Sequence, residues 1–162
     1  MQKFTPAVIL AVAAAALAAG AWLLFAQPWS GEGRDARIID PADAELVALG
    51  GEVYAEHCAS CHGAEMEGQA NWRQRNAEGR MPAPPHDASG HTWHHPDPVL
   101  FAITRQGPAA LVGGGYQSDM PAYEGVLSDR EIRASIAYIK SRWSEEIRAQ
   151  QAEITRRALE AE

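Results

Sequence analysis

The stretch HCASCHG, residues 57–63, contains both cysteines of the 162-residue chain, Cys58 and Cys61, with His62 directly behind them. Three chemistries use two thiols at that spacing: a redox dithiol, half of a zinc site, and covalent attachment of a haem. A redox Cys-x-x-Cys opens a helix after a strand in a βαβ setting. Here a helical pattern precedes the motif and no alternating strand pattern flanks it. Zinc needs four ligands, usually with a second paired cluster, and the chain has no second cysteine pair. A disulfide between residues three apart would close a tiny strained loop and stabilise little. Cys-x-x-Cys-His is the attachment signal of a c-type haem. Each thiol adds to one vinyl group as a thioether, and the adjacent imidazole becomes the proximal iron ligand. The motif therefore predicts one covalent haem c, with iron, on Cys58, Cys61 and His62. His57, on the other side of the motif, gains no such role and is expected to be an exposed helix residue.

An iron so held has a second axial position, and a methionine there raises its potential. The methionines are Met1, Met66, Met81 and Met120. Met1 lies outside the domain, and Met66 is too near His62 in sequence to reach the opposite face. Met81 and Met120 each precede a proline. Met120 comes 58 residues after His62, which leaves chain enough to wrap the cofactor. It is the expected sixth ligand, with Met81 as the alternative or as a gap-filling side chain. The histidines His86, His91, His94 and His95 surround Trp93 in PPHDASGHTWHHPD. They suit hydrogen bonds to haem propionates, backbone or water. A second metal site, such as copper, is the sharper alternative, and one histidine replacing Met120 on the iron is a third. Trp93 is expected to contact the cofactor.

The elements that must position these groups are helical. Leu46, Val47, Gly50, Val53 and Tyr54 recur at helical spacing and run into the cysteines. Residues 63–115 are rich in Pro, Gly and His and read mainly as loop. DPVLFAITRQG reads as a short helix capped by Asp97, with Pro98 in its first position and Gly107 at its end. LVGGGYQSDMPAYEGV reads as loop. Ser128 and Glu131 form a capping-box pattern for a helix whose buried stripe is Ile132, Ile136 and Ile139, with Tyr138 beside it. From Ser144 a polar helix of mixed charge is expected to lie in solvent.

The net charge of −7 argues against a nucleic-acid partner. No charged residue occurs between Phe4 and Gly31, and Ala7–Ala26 alone is 20 residues, enough for a helix to cross a bilayer. Trp22 and Trp29 suit its interfacial ends, and Lys3 favours an inside amino terminus. An uncleaved anchor is expected, with a cleaved signal peptide as the alternative. The organisation follows: anchor 1–29, linker 30–43, haem domain 44–143 and polar helical extension 144–162.

GGEVYAEHCASCHG joined to SDMPAYEGVLSDREIRASIAYIKSRW resembles the class I c-type cytochromes, of the bacterial membrane-anchored monohaem kind, over residues 44–143. The resemblance implies an all-α cytochrome c-like domain wrapped around one haem, behind an N-terminal transmembrane helix. It implies that the first and last helices of that domain cross, with Gly50 and Tyr54 meeting Tyr138. It further implies that Pro84, or else Pro85, offers the carbonyl that orients His62. An apolar residue usually follows the proline pair in this family, where this chain has His86. The activity implied is one-electron transfer, not catalysis, between membrane redox complexes on the periplasmic face of the cytoplasmic membrane. A haem-c ligand sensor, a redox-enzyme subunit, or a metal-handling protein using the histidine loop are the alternatives.

Overall fold

The computed structural model describes residues 37–161. The segment expected to cross the membrane lies outside the described residues. No helix among the described residues is long and apolar enough to do so. The described chain is helical: α1 Ala44–His57, α2 Ala59–His62, a 3-10 turn Thr92–His94, α3 Asp97–Gln106, α4 Pro108–Val112, α5 Asp129–Ser141 and α6 Glu145–Glu160. Among the described residues the only β pairing is an isolated bridge between Glu124 and Leu127.

Asp43 caps α1 by accepting from the Leu46 amide at 3.0 Å. The helix delivers its last residue directly to the thiol motif. Its buried face crosses α5, and the crossing is closest at Gly50. A Cβ there would stand 1.9 Å from the Ala134 carbonyl oxygen and 2.8 Å from the Tyr138 Cβ, so only glycine lets the two backbones approach this far. One turn on, the Tyr54 and Tyr138 rings meet at 5.5 Å, and the Tyr54 hydroxyl donates to the Gly63 carbonyl at 2.9 Å. In α5 both halves of the Ser128–Glu131 capping box form, and Ile132, Ile136 and Ile139 are buried.

Three segments depart from the sequence expectations. Asp97 does not cap α3: Pro96 occupies the cap position, and the Asp97 carboxylate turns inward. It accepts from the Ile39 amide at 2.8 Å, from Lys140 Nζ at 2.7 and 2.8 Å, and from Gln151 Nε2 at 2.8 Å. A carboxylate removed from water needs several donors, and these outcompete the local amides. The stretch after Gly107 is not all loop, because Pro108 starts the short helix α4. Finally, α6 is not simply solvated. Gln151 is 0% and Thr155 2% exposed, and the Thr155 hydroxyl accepts from the Asp97 amide at 3.1 Å. The helix docks by a polar face and leaves Glu153, Arg156 and Arg157 outside. The same cluster pins Ile39, whose carbonyl accepts from Lys140, so tight packing begins before α1.

Candidate haem-binding site

The loop-rich middle of the chain encloses a cavity of about 440 Å³ with α1, α2, α3 and α5, within the roughly 300–1,000 Å³ of cofactor pockets. Cys58, Cys61 and His62 line it from the α1–α2 junction, while Leu100, Ile103, Ile136 and Ile139 supply apolar wall. Met81 and Met120 both reach the lining.

The thiols are not joined to each other. Burial, and next the neighbouring Cys61, push the Cys58 thiol up to about 11. Redox dithiols show the opposite, a thiolate stabilised near neutrality. His62 is buried, and burial holds its imidazole below the usual range despite the opposing pull of the Pro84 carbonyl. The neutral ring is the form that ligates metal. His62 Nδ1 lies 2.8 Å from the Pro84 carbonyl. With Nδ1–H donating there, Nε2 is left free to ligate a metal. That carbonyl is itself held in place. A Cβ on Gly68 would fall 2.4 Å from Pro85 N, and one on Gly90 would fall 1.9 Å from Pro85 O, so the proline pair is clamped between two glycine backbones.

His86, where an apolar residue was expected, stacks on His62 with ring centroids 4.0 Å apart and planes 20° from parallel. Its Nδ1 lies 2.8 Å from Thr92 Oγ1 and its carbonyl accepts from Trp143 Nε1 at 2.7 Å. Burial first, then His62 and His91, hold its pKa far below the ordinary value. It therefore forms a flat, uncharged plate against the His62 imidazole. Two imidazoles on opposite faces of one iron would aim nitrogens at each other, so this face-to-face pair does not make His86 the sixth ligand.

The other histidines do not converge. Among the described residues no three His, Cys, Asp or Glu side chains are placed to hold a metal ion. His94 stacks on Trp93 at 3.7 Å, while His91 stacks on Trp72 at 5.5 Å. Trp93 is absent from the cavity lining and packs with Tyr54, Met66, Ile139 and Trp143; Trp72, from the polar run NWRQR, lines the cavity instead. His57 also lines the cavity, and its carbonyl accepts from the Tyr123 hydroxyl at 2.6 Å. It is half-buried rather than exposed because α1 carries it to the cavity wall.

Met120 follows Asp119, and Met81 follows Arg80. Arg80 and Asp119 form an ion pair, which ties the two methionine loops together. The Met120 amide donates to Ser118 Oγ at 3.1 Å. The donor set, two cavity-lining thiols, a neutral imidazole with one nitrogen committed, thioethers and apolar walls, fits a covalently attached haem.

No solved structure matches the chain. Its sequence matches the family described as Cytochrome c over residues 47–143. That span is more than half of the 162 residues, and the chain belongs to the cytochrome c family, whose haem c is covalently attached.

Proposed function

We propose that this protein is a one-electron carrier in which Cys58 and Cys61 would hold the haem and His62 and Met120 would ligate its iron. The haem supplies a one-electron iron couple when bound. The chain's part is to fix the surroundings. The Pro84 carbonyl sets the His62 tautomer, and the apolar walls exclude water. A thioether opposite His62 would favour reduced iron and close the position to small ligands. Cys61 is exposed, so one attachment edge reaches the surface where a redox partner can approach. The observation that carries this reading is the presence of Met120 in the same lining as His62, on a loop braced by the Arg80–Asp119 pair.

The carrier is further proposed to be held by the apolar segment 7–26 to a bacterial cytoplasmic membrane. Its haem domain would lie on the periplasmic side and exchange electrons with membrane redox complexes. A tether raises effective concentration near such partners. Protein extracted from membranes should be low-spin in both oxidation states, inert to carbon monoxide, and reoxidised by isolated membranes. High-spin iron that binds carbon monoxide readily would replace the carrier with a ligand sensor or a redox-enzyme subunit. N-terminal sequencing of the extracted protein distinguishes an anchor from a cleaved signal.

A further inference from the structure

The contact between His62 Nδ1 and the Pro84 carbonyl holds the imidazole along one direction. A hydrogen bond from an in-plane N–H fixes where that nitrogen points and leaves the ring free to tilt about the N–H···O line. The face of the ring meets His86 instead, with centroids 4.0 Å apart and planes 20° from parallel. His86 is anchored at three points. Its amide donates to the Met66 carbonyl at 2.8 Å, its carbonyl accepts from Trp143 Nε1 at 2.7 Å, and its Nδ1 lies 2.8 Å from Thr92 Oγ1. Tyr54, 2% exposed, meets the same ring edge-on at 6.2 Å. Met66 receives the His86 amide while holding a backbone φ of +68°. A non-glycine residue is strained in that conformation, and such strain gathers at sites whose geometry it maintains. An aliphatic side chain at position 86 could fill the same space, but it offers neither a flat face to His62 nor a ring nitrogen to Thr92.

We propose that His86 is a positioning residue whose anchored face fixes the plane of the His62 imidazole, and with it the orientation of the iron orbital that exchanges the electron. The inference rests on the reading of His62 as an axial ligand of the haem iron. A planar ring ligand overlaps one of the iron's π-type d orbitals more than the other. The plane of the ring therefore decides which of them holds the unpaired electron in oxidised low-spin iron. Two contacts divide the task. The Pro84 carbonyl sets the tautomer and the aim of Nε2, and the His86 face sets the tilt. Pro84 and His86 flank Pro85, which packs against the Gly68 and Gly90 backbones, so aim and tilt are set by one rigid stretch. A ring fixed in advance does not reorganise when the electron arrives or leaves.

The test is proton nuclear magnetic resonance of the oxidised, full-length, haem-loaded protein, where the order and spread of the haem methyl shifts report the orientation of the half-filled orbital. His86→Phe keeps a flat face against His62 and should keep the parent pattern. His86→Leu removes the face and should reorder or narrow the methyl shifts, while the visible spectrum still shows the parent's axial ligands. Parent shifts retained in His86→Leu, or lost equally in both variants, would overturn the proposal. If the variants fail to load haem, the parent protein decides. Its methyl shifts should vary linearly with inverse temperature, as one fixed ring plane requires, and curvature from a ring that samples several planes would refute the clamp. High-spin iron in the parent protein would remove the carrier reading and this inference with it. Low-spin iron with an unmoved pattern in His86→Leu would remove the inference alone.

Discussion

Lys140 Nζ sits 2.7 and 2.8 Å from the two carboxylate oxygens of Asp97, with the lysine side chain 5% and the aspartate 0% exposed. The pair joins α5 to the start of α3, and through Ile39 and Gln151 it also takes in the chain before α1 and the helix α6. Burial lowers the Lys140 pKa, and the Asp97 charge opposes that shift. Asp97→Ala would leave the ammonium buried and unmatched, and should destabilise the fold by about 3–5 kcal/mol. Lys140→Met should cost less, because the remaining carboxylate keeps the Ile39 and Gln151 donors. Urea denaturation of the haem-loaded protein measures both, and an Asp97→Ala loss under about 1 kcal/mol would show the pair to be incidental.

Gly50 and its neighbour Gly51 should behave oppositely. Alanine at Gly50 collides with the Ala134 carbonyl and should cost about 1–3 kcal/mol or more by overpacking. Alanine at Gly51 meets the Tyr138 ring at 3.4 Å, an ordinary contact. It should therefore gain up to about 1 kcal/mol from helix propensity. Thermal unfolding of the two variants side by side checks the contrast.

The outer face of α6 carries a pH-dependent part of its stability. Hydrogen bonds from Arg156 and then Arg157 push the Glu153 carboxyl down to about 2, from an ordinary 4.5. A carboxyl with a depressed folded pKa stabilises above its unfolded value and loses that contribution as pH falls through the folded one. Amide protection factors in α6, taken relative to unstructured peptide at the same pH, should fall between about pH 4.5 and pH 2. Because the group is at the surface, added salt should weaken the effect.

Arg80→Ala should separate global stability from ligand retention. Both partners of its pair with Asp119 are well exposed, at 40% and 53%, and such pairs are worth about 1 kcal/mol at most. The loop carrying Met120 loses its brace, however. Added imidazole should displace the methionine faster in this variant while the unfolding midpoint barely moves.

What the sequence disclosed was local. The Cys58–Cys61–His62 motif, the Ser128–Glu131 box and the Ile132–Ile136–Ile139 stripe each lie within a few residues, where spacing alone sets geometry. Asp97 departs from the capping rule because its partners are distant. Capping is a local rule, and Ile39 and Lys140, 58 and 43 residues away, took the carboxylate instead. The packing of α6 escaped notice because its buried face is Gln151 and Thr155, which leave no apolar stripe. Between the motif and α3 the chain has no period to show where a side chain points. Nothing in the sequence distinguished Trp72, which lines the cavity, from Trp93, which packs away from it.

The most direct measurement is the visible spectrum of the oxidised protein, in the red band where methionine sulfur transfers charge to ferric iron. The band should be present in the parent protein and in Met81→Ala, and absent from Met120→Ala. Its survival in Met120→Ala, or its absence from the parent protein, would contradict axial ligation by His62 and Met120.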